Sequence, residues 1–244
     1  MSKQEKLIIN DDSWLEVSNL AEGVFSPLSG FMTSNEYRSV VDKCELTTGE
    51  TWPIPITLDI PSNQLDAVRK SESICLINSK RLHVASLEVE DVYKVDLDQD
   101  IRKVFGTTDA NHPGVQKERN RSPYRIGGRV ILKEKFPPYF PELTLTPEET
   151  KKLFSDMSWQ TVVGFQTRNP IHRAHEYLQR VAMEISDGVF IQPLLGWKKV
   201  GDFTPAAVIA AYKKMFEQFY PRTSALLGVL MTPMRYAGPR EALF

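Results

Sequence analysis

Hydrophobic and polar positions follow different rhythms in the two halves of this 244-residue chain. Up to residue 135, short apolar runs are broken by turn residues, most clearly at 51–60, 73–78, 81–97 and 127–134. Runs of this length and spacing predict a small, mostly-β domain, either a barrel or a sandwich. One helix is predicted over 33–43, because Thr33 or Ser34 is followed by Glu36 in a capping pattern.

The second half alternates apolar strands with amphipathic helices. Apolar runs at 161–165, 188–196 and 224–233 predict three strands. Two stripes at helical spacing lie between them: Ile171, Ala174, Leu178, Val181, Ala182 and Ile185, and then Val208, Tyr212, Met215, Phe216 and Phe219. Strands and helices in this order predict a parallel α/β sheet. The continuously apolar strands indicate burial on both faces of that sheet.

Proline marks the helix starts and the domain boundary. Asn169-Pro170 and Thr204-Pro205 each pair a capping residue with proline at the first helical position, so both predict a helix N-terminus. Proline also recurs through 135–150, at Pro137, Pro138, Pro141 and Pro147. Such a segment interrupts any long element, and we therefore predict two domains, residues 1–138 and 139–244.

Composition restricts the classes of function. Hydrophobic residues make up 41% and charged residues 25% of the chain, and the formal net charge is −1. Global charge therefore predicts neither nucleic-acid nor membrane binding. The basic run Lys117, Arg119, Arg121, Arg125 and Arg129 contains one aromatic residue, Tyr124, and is interrupted by Glu118, so nucleic acid is not an expected partner.

Features of export and of membrane spans are not evident in the sequence. The first residues, MSKQEKLIINDD, do not contain the apolar core of a signal peptide. No apolar run approaches the ~18 residues of a membrane span. The two cysteines, Cys44 and Cys75, do not form a CxxC pair, which is typical of thiols in a reducing compartment. We expect a cytoplasmic protein.

The candidate chemistry lies where the first strand of the second half meets its helix, in GFQTRNPIHRAHEY (164–177). Ligands of open α/β sheets bind at the carboxyl ends of the strands. The segment places Arg168 and His172 at the positive end of a helix dipole, which costs stability unless an anion binds there. Neither GxGxxG nor GxxxxGK[ST] is present, so the usual dinucleotide and P-loop fingerprints do not apply.

Three interpretations of this cluster remain open on the residues alone. Arginine favours a tetrahedral oxyanion, because its planar fork binds two oxygens at once. His172 and His175 could instead be surface or packing residues. They could also begin a metal site, although no third ligand is obvious nearby.

QTRNPIHRAH resembles the nucleotide-binding signature of the ATP sulfurylases (sulfate adenylyltransferases), which combines a QxRNP segment with an HxxH pair. Further segments resemble the family in the expected order: GVFSPLSGFM (23–32), TWPIPITLDI (51–60), GTTDANHPGVQ (106–116), KKVGD (198–202) and MRYAGPREA (234–242). The resemblance implies a mostly-β, PUA-like barrel domain followed by an α/β catalytic domain. This catalytic domain would contain a Rossmann-like parallel sheet of the nucleotidyltransferase type.

The resemblance also implies an activity in sulfate assimilation. ATP and sulfate would give adenosine 5′-phosphosulfate and pyrophosphate, sulfate attacking the α-phosphorus directly, with Mg²⁺ carried by the nucleotide and no tightly bound protein metal. Family members are commonly oligomeric, so homo-oligomers are compatible with the resemblance. Thr167, Arg168 and Asn169 would be catalytic, and Gln166 and Arg168 would bind sulfate. The residues expected to contact ATP are Gln166, Thr167, Arg168, Asn169, His172 and His175.

One departure from the family leaves a second interpretation open. Family members carry a GRDHA segment soon after the stretch that resembles MRYAGPREA, and this sequence contains none. The alternative function is therefore a non-catalytic nucleotide- or anion-binding fragment. Arg235 and Arg240 follow the third strand and are expected at a second wall of the site, whereas His112 is expected to be structural.

Overall fold

The computed structural model describes residues 5–196, 201–221, 223–229, 231–232 and 240. These residues divide into two compact units, one drawn from Met1–Phe136 with Arg235–Phe244 and the other from Pro137–Met234. Within the described part of the chain, no helix is long and apolar enough to span a membrane.

The N-terminal unit is built on a seven-stranded sheet. Its strands are β1 (Glu5–Ile8), β2 (Gly30–Phe31), β3 (Leu58–Asp59), β4 (Ser73–Ile77), β5 (His83–Glu88), β6 (Asp91–Lys94) and β7 (Tyr124–Leu132). The order is β1-β4-β5-β7-β2, and β3 and β6 also pair with β7. Every pairing of these strands except that of β1 with β4 is antiparallel. The nine-residue β7 pairs with β2, β3, β5 and β6, so it is the central strand of the sheet.

The predicted strands of this unit are only partly correct. The run 81–97 contains two strands, β5 and β6, rather than one. The run 51–60 contributes only Leu58–Asp59, because its prolines Pro53 and Pro55 have no N–H to donate to a ladder. Gly128, at φ +144°, lies where any Cβ would collide with the carbonyl oxygen of Glu88, so β7 requires glycine at that position.

The described residues of this unit also form five α-helices: α1 (Asp11–Ala21), α2 (Ser34–Lys43), α3 (Leu65–Arg69), α4 (Leu97–Phe105) and α5 (Pro113–Arg119). The capping pattern predicted for α2 is confirmed, since the Glu36 carboxylate accepts the Thr33 N–H at 2.9 Å. The other four were not predicted. His112 caps α5, where its Nδ1 accepts the Val115 N–H at 3.4 Å.

Two arginines of the basic run lie inside the N-terminal unit. The Arg125 side chain is fully buried and forms an ion pair with Glu118. Arg121 donates to Asp59 at 2.9 Å and to Glu118 at 3.0 Å. Burial favours a protonated Glu118, yet the two arginines together hold its pKa below the usual range. The charges of Arg121 and Arg125 are therefore neutralised within the N-terminal unit.

The C-terminal unit is an α/β layer, as predicted. Strands β8 (Val162–Thr167), β9 (Gly188–Pro193) and β10 (Ala225–Leu227) form a parallel sheet in the order β10-β9-β8. The helices are α6 (Pro147–Asp156), α7 (Arg173–Ile185) and α8 (Pro205–Gln218). The cap predicted at Thr204 is confirmed, because its hydroxyl accepts the Ala207 N–H at 3.3 Å.

The predicted apolar stripes are only partly buried. Val208 and Tyr212 are fully buried on α8, but Phe219, just beyond the helix, is 55% exposed. On α7 the stripe prediction is wrong for most positions: Ala174, Leu178, Val181 and Ile185 are exposed, and Ile185 reaches 77%. The face that packs on the sheet instead carries Gln179, at 0% exposure, beside Ala182. Hydrophobicity alone does not predict a buried glutamine, because its burial depends on hydrogen-bond partners distant in sequence.

Candidate functional site

The candidate site begins at the carboxyl end of β8. Gln166 and Thr167 are the last residues of this strand, and they are in register with Gln192 and Pro193 of β9. The Leu194 N–H donates to the Thr167 carbonyl at 2.8 Å and prolongs the pairing. The segment that follows therefore leaves the sheet at the edge where α/β proteins bind ligands.

A local hydrogen-bonded turn shapes the next residues. The Thr167 hydroxyl accepts the Asn169 N–H at 3.2 Å and lies 3.4 Å from the Asn169 carbonyl oxygen. Thr167 is buried, Gln166 is exposed, and Arg168 and Asn169 are half-buried. The buried Thr167 hydroxyl thus holds the turn, while Gln166, Arg168 and Asn169 remain at least partly exposed.

The helix begins later than its proline signature predicts. The N-cap is His172 rather than Asn169, and α7 starts at Arg173. The Thr167 hydroxyl holds Asn169 in the preceding turn, so Asn169 does not cap the helix. The His172 side chain makes no capping hydrogen bond. Since amides of a helix's first turn have no partner within the helix, an anion can accept their hydrogen bonds here.

The two histidines form one stacked pair. Their ring centroids are 3.7 Å apart with an interplanar angle of 29°, and Phe165 meets the His175 ring edge-on at 5.4 Å. His175 Nδ1 is buried and has no hydrogen-bond partner among the described residues. Burial, and then the charge of His172, lower the pKa of His175 below its usual value. A nearby anion would reverse the second of these effects.

The charges around this turn are mainly positive. Arg168, His172 and Arg173 lie close together in sequence at the start of α7. The carboxylate of the first turn, Glu176, accepts a hydrogen bond from Arg180 Nε at 2.9 Å. This carboxylate is therefore engaged by an arginine one turn further along the helix. The geometry suits a ligand that carries several negative oxygens.

The sequence-predicted residues lie along one continuous segment, from the end of β8 to the first turn of α7: Gln166, Thr167, Arg168, Asn169, His172 and His175. Sequence reasoning did not assign Gln179 and Tyr212, which are fully buried in the C-terminal unit. A signal for Gln179 was available, since it is a polar residue beside an apolar helical stripe. Across the described ranges, no group of three histidine, cysteine, aspartate or glutamate side chains could hold a metal ion.

The segments expected at other walls of the site are described only in part. Residues 198–200 and Arg235 lie outside the described residues. Arg240 is described, and its guanidinium donates to the backbone carbonyls of Val40, Val41 and Pro53 in the N-terminal unit, at 2.8–3.2 Å. This arginine therefore binds the carboxyl end of α2, where a cation is favourable.

Family models match both units. Residues 1–135 match a PUA-like domain, and residues 141–244 match the ATP-sulfurylase domain. These matches confirm the predicted fold class, a PUA-like domain followed by an α/β domain with a parallel sheet.

Similar proteins include two archaeal sulfate adenylyltransferases. The Thermococcus onnurineus protein is 42% identical over 94% of this chain and 59% of its own length. The Pyrococcus abyssi protein is 42% identical over 98% of this chain and 62% of its own length. The chain thus spans about 60% of these relatives. A solved structure, a hexameric APS kinase from Thiobacillus denitrificans, has a TM-score of 0.75 and 25% identity, over 99% of this chain and 44% of that one.

Proposed function

The chain belongs to the ATP-sulfurylase family, and we propose that it carries the reacting turn of a sulfate adenylyltransferase. ATP and sulfate would yield adenosine 5′-phosphosulfate and pyrophosphate. One sulfate oxygen forms a bond to the α-phosphorus of ATP. The bond from that phosphorus to the oxygen bridging to the β-phosphorus breaks, and pyrophosphate leaves with the electron pair.

The observation that carries this proposal is the construction of the turn from Gln166 to His175. It combines an uncapped helix N-terminus, a cationic cluster and a stacked histidine pair at the carboxyl edge of a parallel sheet. The reaction requires two anions to approach each other, so charge stabilisation and positioning are the main tasks of the protein. The turn has the chemistry for both tasks.

The roles of individual residues follow from their positions in the turn. We assign Gln166 and Arg168 to sulfate, because both lie at the carboxyl end of β8 and Arg168 offers a bidentate fork. Thr167, Arg168 and Asn169 form the catalytic core, with Asn169 held by the Thr167 hydroxyl. His172 and His175 are assigned to the ATP phosphates beside the first amides of α7.

Magnesium enters this proposal with the nucleotide. The side chains assigned to the site are amides, a hydroxyl, a guanidinium and imidazoles, whereas Mg²⁺ prefers carboxylate, phosphate and water oxygens. The phosphate oxygens of ATP therefore fit the ion better than this donor set does. When bound there, Mg²⁺ would neutralise charge on the departing pyrophosphate. We further propose homo-oligomers, an idea supported by the hexameric state named for the solved relative.

The test is sulfate-dependent release of pyrophosphate from Mg·ATP by the purified 244-residue chain. Arg168→Ala is the diagnostic variant. Arg180→Ala is the matched control, because it also removes an arginine. Arg180 lies further along α7 and donates a hydrogen bond to Glu176. Release that requires sulfate, disappears in Arg168→Ala and persists in Arg180→Ala would support the proposal.

Two other results would count against catalysis by this chain. Binding of Mg·ATP without pyrophosphate release would favour the non-catalytic, nucleotide-binding alternative. Release that is the same with and without sulfate would contradict sulfate as the acceptor. Calorimetric titration with ATP, run beside the release assay, separates these outcomes.

A further inference from the structure

The parallel sheet of the C-terminal unit has one covered edge and one open edge. Just beyond β10, the Val229 N–H donates to the Leu143 carbonyl at 2.8 Å, and Val229 forms a bridge with Thr144. At the other end of the strand order, β8 pairs with β9 alone among the described strands. Gly164 and Gln166 of β8 are exposed. An open strand edge is a template for pairing with another chain.

The pairing of β8 with β9 shows which backbone groups lie at the open edge. The Gly188 N–H donates to the Thr161 carbonyl at 3.2 Å, at the start of the ladder. The Leu194 N–H donates to the Thr167 carbonyl at 2.8 Å, at its end. Alternate residues of a strand direct their N–H and C=O groups to opposite sides. The residues of β8 that direct theirs away from β9 are therefore Val162, Gly164 and Gln166.

The helix that follows β8 also has an exposed apolar flank. One flank of α7 faces α8, where Gln179 Nε2 lies 3.5 Å from the Tyr212 hydroxyl. A different flank carries Leu178, at 55% exposure, and Ile185, at 77%. We call this flank the α7 seam; it consists of Ala174, Leu178, Val181 and Ile185. Its spacing of four, three and four residues is typical of a surface that packs against another helix.

A second copy of the chain fits the α7 seam in an antiparallel orientation. If a twofold axis perpendicular to the sheet relates the copies, both α7 helices lie on the same face of the sheet. Ala174 of one copy is then opposite Ile185 of the other, and Leu178 is opposite Val181, so small and large residues alternate. The 13 residues of α7 and the 6 residues of β8 each span about 20 Å. One axis can therefore pass through the middle of both elements.

The charges beside the seam are complementary in the same orientation. Arg173 and Glu184 are exposed and lie about three helical turns apart, at opposite ends of the same flank. Glu176 and Arg180, between them, pair with each other at 2.9 Å. Antiparallel packing brings Arg173 of each copy beside Glu184 of the other, and symmetry provides this contact twice. A parallel arrangement would instead place like charges together.

We propose that the open edge of β8 and the α7 seam together bind a second copy of this chain, forming a symmetric dimer with a continuous six-stranded sheet. Association would pair the free backbone groups of β8 and remove the exposed seam from water. The self-complementary charges favour a second copy over a chain of another sequence. The inference rests on the proposed function only in giving its homo-oligomer a surface, and the pairing itself involves no substrate.

The first test is sedimentation velocity of the purified chain over a range of concentrations, without nucleotide. We expect a reversible monomer–dimer equilibrium. Leu178→Glu should raise the dimer Kd at least about tenfold, because it would bury a charge in the seam. Leu82→Glu is the matched control, since Leu82 is 44% exposed in the N-terminal unit, and its Kd should stay within about twofold. Thermal melting verifies that both variants fold.

The second test uses the charges and is specific for the antiparallel orientation. Glu184→Arg should raise the dimer Kd about tenfold, because two arginines then meet at each end of the seam. Adding Arg173→Glu exchanges the two charges and should return the Kd to within about threefold of the unmodified chain. Amide hydrogen exchange locates the strand contact: Gly164 and Gln166 should exchange about tenfold more slowly in the dimer than in the monomer.

A chain that stays monomeric would overturn the proposal and would favour a polypeptide of another sequence as the occupant. Equal weakening by Leu178→Glu and Leu82→Glu, or no recovery in the charge exchange, would overturn it as well. So would a dimer in which the exchange of Gly164 and Gln166 is unchanged. Absence of sulfate-dependent pyrophosphate release would contradict the proposed function and leave these association measurements intact, so the two ideas can fail separately.

Discussion

Two cationic segments of this protein differ in how their charge is neutralised. In the N-terminal unit, Arg121 and Arg125 are ion-paired with Asp59 and Glu118 inside the fold. In the C-terminal unit, Arg168, His172 and Arg173 gather at a helix N-terminus. The nearest carboxylate of that helix, Glu176, is engaged by Arg180. The first segment lies among carboxylates inside the fold, whereas His172 and Arg173 of the second are exposed at the start of α7.

The difference indicates where the protein stabilises itself and where it binds. A buried arginine needs a carboxylate, because an unpaired charge in the core is strongly unfavourable. A half-exposed cation at a helix N-terminus costs much less and attracts external anions. Counts of basic residues along the sequence do not separate these situations, since both segments are rich in arginine.

The largest expected effect tests the assigned role of the second segment. Arg168→Ala should lower sulfate-dependent turnover at least about a thousandfold in any version of the protein that turns over, because a bidentate charge contact to the anion is removed. Steady-state pyrophosphate release measures this loss. Turnover within twofold of the unmodified protein would contradict the assigned role of Arg168.

The first segment should respond in stability instead. Glu118→Gln leaves Arg125 buried without its carboxylate, and the free energy of unfolding should fall by about 3 kcal/mol. Because the pKa of Glu118 is lowered in the fold, its contribution is present at neutral pH and is lost as the pH falls below the usual glutamate value. Urea denaturation at pH 7 and at pH 4 measures both effects.

Glu142→Gln is the matched control for that experiment, because Glu142 pairs with Lys213 at an exposed position. Exposed pairs contribute little to stability, so no measurable change is expected. If the two glutamine variants unfolded at the same urea concentration, burial would not distinguish the first segment from an ordinary surface pair.

A smaller effect is expected at His172, where one substitution should raise the stability of the fold and weaken anion binding. His172 is the N-cap of α7 and makes no capping hydrogen bond. His172→Asn should stabilise the protein by about 0.5–1 kcal/mol, since asparagine is a favoured cap. It should also weaken the binding of pyrophosphate, because an imidazole donor is removed and an amide at the helix start gains an internal acceptor. Thermal melting measures the stability, and calorimetry measures the affinity for pyrophosphate. An increase in both stability and affinity would contradict this prediction.

The smallest effect is a shift in the titration of His175. Burial and His172 lower its pKa, so the folded protein favours the neutral ring, and protonation as the pH falls below about 6.5 should destabilise the fold. A bound polyanion should raise this pKa, because it stabilises the protonated ring. NMR titration of the ring with and without pyrophosphate measures the shift. A pKa that pyrophosphate leaves unchanged would place the anion away from His175.

Local capping rules were correct at two helices and wrong at a third. The capping pattern of Thr33 with Glu36 predicted α2, and Thr204-Pro205 predicted the start of α8. The same rules failed at Asn169-Pro170, where the Thr167 hydroxyl binds Asn169 and delays the helix to Arg173. One side-chain hydrogen bond was enough to override a good capping signal, because alternative caps differ by only about 1 kcal/mol.

The sequence by itself determined the α/β character of the second unit, with its alternating strands and helices, and supplied the residues proposed for the candidate turn. These features follow from periodicity and from short-range chemistry, which a linear pattern records. Only the tertiary structure decided which face of α7 is buried, that Gln179 accepts a hydrogen bond from Tyr220 in the core, and that Arg121 and Arg125 are neutralised internally. Each of these depends on partners far apart in sequence, and burial energies are set by the partners that folding brings together.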